Sequence, residues 1–145
     1  MLRQFFRFFC IGSFERILFI RTAAVILYFC ILIAVVPQRI VLRRIGKSGV
    51  QMPEDISEKD VVVVTQVAKA IRRSVKVIPW KVKCFVRAVA GKYMLKRMGI
   101  SSTLYIGLGK DEEQKLTAHA WLRCGRFIVT GKEEMNRFTP VAFFS

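Results

Sequence analysis

The sequence predicts an α+β fold in which helices precede a small antiparallel sheet. Two observations carry this. Up to Gly99, apolar residues recur at helical spacing, as in Val63, Val64, Val67, Ile71 and Val75, then in Phe85, Val86, Val89 and Tyr93. After Gly99 the period drops to two: Leu104, Ile106 and Leu108 share one face of a strand, as do Leu116, Ala118, Ala120 and Leu122. A chain of 145 residues carries one such core rather than two full domains.

Residues 1–52 read as a basic, apolar, helical N-terminal region, and residues 53–145 as the folded domain. The uninterrupted apolar run at 23–36 would span about 21 Å as a helix, short of the roughly 30 Å hydrocarbon layer. Extending it back through Ile17 reaches spanning length but takes in Arg21. Arginines flank it on both sides, so charge gives no orientation. A signal peptide fits poorly, because no small-residue cleavage site follows the run. Three readings stay open: a helix buried against the domain or a partner, a helix lying on a membrane surface, and a span.

The stretch 46–53 (GKSGVQMP) reads as a linker. Ser57 is placed to cap a helix, with Glu58 and Asp60 in the first turn, where the helix dipole favours negative charge. The run VVVV pulls toward a strand, but the apolar spacing favours a helix that stops before Pro79. A second helix is expected over about residues 81–98, ending at Gly99. GKDEE is a polar turn and Cys124-Gly125 a tight one, so the C-terminal part reads as a meander of about four strands.

Net charge is +15 and 53% of residues are apolar. The excess of cations implies an acidic counterpart: a peptide, a membrane surface or a nucleic acid. Charge alone supports the last, since no interleaved basic-aromatic motif is present. GLGK lacks the spacing of a phosphate-binding loop. Four cysteines without a CxxC pair, beside a single histidine, argue against zinc. Cys10 and Cys30 sit in apolar runs and read as small hydrophobes, consistent with a reducing compartment.

Cys84 falls near the start of the second helix, where unpaired N–H groups stabilise a thiolate and can donate to an oxyanion. Lys81 and Lys83 add positive potential. His119, the sole histidine, follows on a strand and shares its face with Thr117, Trp121 and Arg123. A helix-start cysteine facing a strand histidine is the arrangement of papain-like and transglutaminase-like thiol enzymes. Each residue alone has a plain alternative, the cysteine as a buried small residue and the histidine as a satisfied polar group. Trp121 reads as core or as a wall that keeps water from the pair. Cys124 competes as nucleophile but lies at a turn, away from any helix start.

The ordered set Cys84, residues 95–100 (LKRMGI), residues 104–108 (LYIGL) and His119-Ala120-Trp121 resembles the leader peptidases of lasso peptide biosynthesis. The resemblance covers roughly residues 79–143. It implies a papain/transglutaminase-like core, with the catalytic helix packed on an antiparallel sheet. It implies that Cys84 is the nucleophile and His119 the general base and then acid, with no metal or cofactor. The substrate would be a ribosomal precursor peptide, whose leader is removed so that a separate lasso cyclase can close the ring. The length resembles the protease half of a split system, so a separate small leader-recognition protein is expected. The location would be cytoplasmic, with contact to the inner face of the membrane also open, and no nucleic acid is involved.

Members of that family carry an aspartate on the strand after HAW. Here that region holds Thr130 and Gly131, with Glu133 and Glu134 just beyond. Thr130, a backbone carbonyl or a displaced glutamate such as Glu133 would then orient the imidazole, or the pair would work as a dyad.

Overall fold

A computed structural model describes residues 12–145; Cys10 and the FFRFFC run lie outside the described residues. Among the described residues four helices come first: α1 (Ser13–Val35), α2 (Gln38–Ile45), α3 (Glu58–Val77) and α4 (Cys84–Arg97). They are followed by β1 (Thr103–Lys110), β2 (Leu116–Cys124), β3 (Phe127–Thr130) and β4 (Thr139–Phe144), with a 3-10 turn at Met135–Arg137 before the last strand. The α+β class expected from the change of period is what forms.

α3 is a helix despite its four valines. Ser57 caps it by accepting from the Asp60 N–H at 3.2 Å. Val64, Val67, Ala70, Ile71 and Ser74 form its buried stripe. That burial outweighs the few tenths of a kcal/mol per residue, roughly, that β-branching costs a helix. α4 ends where Gly99 was expected to stop it: the N–H of Ile100 reaches back to the Leu95 carbonyl at 2.9 Å.

The core is shared across the expected boundary near residue 52. Leu18, Ile26 and Phe29 of α1 and Val41 and Leu42 of α2 are buried in one cluster with Val64, Val67, Leu95, Leu104 and Leu122. Other apolar residues of α1 stay exposed, among them Phe14, Ile17, Ile20, Tyr28, Ile31 and Val35. By length and composition α1 could cross a membrane; one stripe of it is nevertheless packed on the domain. The 46–53 stretch is docked rather than free: Lys47 and Ser145 exchange backbone hydrogen bonds at 2.7 and 3.1 Å, and the Met52 N–H reaches Thr103 Oγ1 at 3.0 Å.

The four strands are antiparallel but do not form a simple meander. Their order is β3-β2-β1-β4, so the last strand pairs with β1 instead of β3. Residues 131–138 therefore cross one face of the sheet, over β2 and β1. The crossing needs the missing side chains of Gly107 and Gly109. A Cβ at Gly107 would lie 2.7 Å from the Trp121 ring and 2.9 Å from Phe138 Cβ, and one at Gly109 would lie 2.7 Å from the Arg137 carbonyl oxygen.

The two faces of the sheet consequently differ. Leu104, Ala120, Leu122 and Cys124 face α4 and join the main core. α4 approaches so closely at Gly91 that a Cβ there would meet Leu122 at 2.8 Å and Thr130 at 3.8 Å. Tyr105, His119 and Trp121 point to the other face, under the crossover.

Candidate functional site

Cys84 is the first residue of α4, and the Lys83 cap position supplies no side-chain hydrogen bond. The N–H groups of the first turn are thus left for another acceptor. Helical spacing puts Cys84 in line with Ala88, Gly91 and Leu95, the stripe that faces the sheet. The thiol is half-buried and makes no hydrogen bond to any described residue.

His119 is only 6% exposed. Its ring stacks between Trp121 and Phe138, with centroids 6.0 and 5.1 Å away, and Trp121 stacks in turn on Tyr105 at 5.6 Å. Trp121 is therefore a packed wall of the histidine's own compartment. Nε2 lies 3.0 Å from the carbonyl oxygen of Gly131. A carbonyl only accepts, so Nε2 carries the proton and donates it there. The lone pair of the neutral ring is then at Nδ1. The Glu134 carboxylate lies 3.6 Å from Nδ1 and is 61% exposed, placed to offset an imidazolium once Nδ1 is protonated.

The ring is thus held by the Gly131 carbonyl and faced by the Glu134 carboxylate, each next in sequence to one of the named candidates, Thr130 and Glu133. Gly131 has φ +81°, a conformation that glycine tolerates and β-branched residues do not. The chain leaves β3 there and passes over β2, which lays the Gly131 carbonyl on the imidazole. Thr130 sits one residue earlier, opposite Leu122, with its methyl toward Gly91 of α4. Its hydroxyl is buried and reaches no partner. Glu133 makes no ion pair with the ring.

Cys84 and His119 belong to neighbouring elements but are not joined by a hydrogen bond. β3 pairs with β2 only from Leu122 to Cys124, so from Ala120 back β2 has no partner strand on that side. The crossover and the first turn of α4 meet beside this free edge. Arg87, one turn after Cys84, lines a cavity of ≈ 300 Å³ together with Thr130, Gly131, Lys132 and Glu133.

Cys124 is a different thiol. It is fully buried and donates to the Ser101 carbonyl at 3.2 Å. Burial, with Asp60 adding, pushes it up to about 11, away from the thiolate. Among the described residues, no group of three or more His, Cys, Asp or Glu side chains could hold a metal ion.

A family model described as the transglutaminase-like superfamily matches residues 23–142. The match takes in most of α1, the helix that opens on Cys84, and β2 with His119. No curated protein and no solved structure matches the chain.

Proposed function

The chain belongs to the transglutaminase-like superfamily, and from that footing we propose that it is a cysteine endopeptidase that removes the leader from a lasso peptide precursor. Superfamily membership points to cysteine protease or acyltransferase chemistry. The observation that carries the reading is an uncapped thiol opening α4, on the helix packed against β2, together with a β2 histidine whose Nε2–H is already committed to Gly131. That commitment leaves Nδ1 as the base.

In this mechanism the Cys84 thiol gives its proton to His119 Nδ1 and its sulfur attacks the carbonyl carbon of the leader's last residue. First-turn N–H groups of α4 receive the developing oxyanion. The tetrahedral centre collapses, the C–N bond breaks, and imidazolium returns the proton to the core's amine. Water then hydrolyses the thioester, which frees the leader as a carboxylate and restores the thiol. No cofactor or metal enters.

The missing thiol–imidazole hydrogen bond has a role in this reading. Catalytic hydrogen bonds are often long before substrate binds, and here closure would follow engagement of the precursor carried by a separate leader-recognition protein. The chain alone is then slow, and its partner raises the local substrate concentration. The exposed apolar side of α1, with Arg39, Arg43 and Arg44 beyond it, suits contact with the inner membrane surface from a cytoplasmic position.

A non-catalytic membrane-associated scaffold is the competing reading, favoured by the deep burial of His119. Acyl transfer to an amine is the other thiol chemistry. Incubating the chain with precursor, recognition protein and an amine donor separates the three by mass spectrometry. Leader plus core supports the endopeptidase and an amine adduct indicates transfer. Processing by a Cys84→Ala variant equal to wild type would sink both thiol mechanisms.

A further inference from the structure

The cavity beside the first turn of α4 carries mostly cations among its charged residues. Its wall includes four cations, Arg72, Lys76, Arg87 and Lys132, against one carboxylate, Glu133. No described residue forms an ion pair with any of them. Two buried polar atoms in the wall also lack a partner, Arg87 Nε and Thr130 Oγ1, and Thr130 as a whole is only 8% exposed. Native proteins rarely leave such groups unmatched. Arg87 Nε–H can only donate, and a threonine hydroxyl can donate as well. Both atoms are enclosed, so small side-chain rotations would bring them to a ligand, and a carboxylate has the two acceptor oxygens and the negative charge to satisfy both.

We propose that this cavity is a subsite for an acidic side chain, Asp or Glu, of the peptide substrate. The claim rests on the endopeptidase reading only for the identity of the peptide as the chain that is cut. Position supports it. Arg87 follows Cys84 by one turn of α4, and Gly131 in the same wall carries the carbonyl that holds His119. A carboxylate seated on Arg87 and Thr130 would therefore lie beside the bond offered to the thiol. At ≈ 300 Å³ the cavity suits one side chain rather than a folded partner.

The test uses the full chain carrying Cys84→Ala, labelled with ¹⁵N, and is read at the Thr130 and Gly131 amides and at Arg87 Nε–H. The probes are acetyl-Gly-Glu-Gly-amide, its glutamine counterpart, acetate and inorganic phosphate, all at one salt concentration. The glutamate peptide is expected to bind about tenfold or more tightly than the glutamine peptide. Thr130→Val, which keeps volume and removes an unpartnered hydroxyl, should cut that preference several-fold, and Arg87→Gln should do the same. Equal binding of the two peptides, or an unchanged preference in both variants, would overturn the subsite. Acetate or phosphate binding as tightly as the glutamate peptide would overturn it too, by assigning the cavity to free small anions. Because the thiol is absent, failure here leaves the endopeptidase reading standing, and an inactive thiol with an intact preference would sink that reading alone.

Discussion

The two ends of α4 are built to opposite specifications. At the C-terminal end two buried polar side chains have found carbonyls: Lys92 Nζ donates to Ser102 at 2.6 Å and Cys124 Sγ to Ser101 at 3.2 Å. At the N-terminal end, Cys84 has no hydrogen bond and Arg87 Nε and Thr130 Oγ1 are unmatched. Both ends contain a cysteine, yet only Cys84 opens a helix, and Arg87 one turn later lines a cavity with Gly131, whose carbonyl holds His119. The difference teaches that the fold satisfies one thiol and leaves the other without a hydrogen-bond partner among the described residues.

Breaking the open end at its base should have the largest effect. His119→Ala should lower Cys84-dependent cleavage by about 10²–10⁴-fold, as loss of a general base does, while Cys124→Ala leaves turnover nearly unchanged. Steady-state assay of both variants with the recognition partner checks this. Gly131→Ala comes next. The added methyl would lie 2.8 Å from the Ala120 carbonyl oxygen and 3.0 Å from His119 Nε2, at a φ of +81°. It should cost about 1–3 kcal/mol in denaturant unfolding and tenfold or more in rate, roughly, because the carbonyl that orients the ring moves.

The closed end has a signature of its own in pH. Burial, with Lys96 adding, lowers Lys92 from 10.5 to about 8. Between those values the unfolded chain holds a proton that the folded chain has lost, so stability rises with pH. Cys124 acts in the opposite sense. Its thiol is raised from 9.0 to about 11, so above pH 9 the unfolded chain loses a proton that the folded chain keeps, and stability falls. The net gain should therefore sit between pH 8 and 9 and reach up to about 1 kcal/mol. Urea midpoints at the two pH values should show it in wild type and not in Lys92→Met. Glu134→Gln should have the smallest effect, a few-fold loss of rate, since its carboxylate is mostly exposed and 3.6 Å from Nδ1; kcat at low and high salt reads it.

Much of the fold could be read from residue spacing. The switch of period at Gly99, the Ser57 cap and the helix opening near Cys84 are local features, carried by residues close in sequence. The strand order is not local. It depends on Gly107 and Gly109 leaving space for Arg137 and Phe138, which are far away in the chain. In the site, Cys84 and His119 stood out by residue type. The ring's partner did not, because a carbonyl acceptor belongs to every residue and only the turn at Gly131 aims this one. Glu134 rather than Glu133 faces Nδ1 for the same reason: the short 3-10 turn after it sets the direction, and its sequence carries no signal of that. The cavity was hidden as well, since its wall joins Arg72 and Lys76 of α3 to Arg87 of α4 and Thr130 of β3, which lie apart in the chain.

The central claim is that Cys84 is a nucleophile served by His119. Limited iodoacetamide labelling of the folded chain near neutral pH, followed by peptide mapping, tests it most directly. Cys84 should be alkylated at least about tenfold faster than Cys124, consistent with an accessible thiol beside a base, and His119→Ala should remove most of that lead. Labelling of Cys84 at the rate of the denatured chain, unchanged by His119→Ala, would contradict the account.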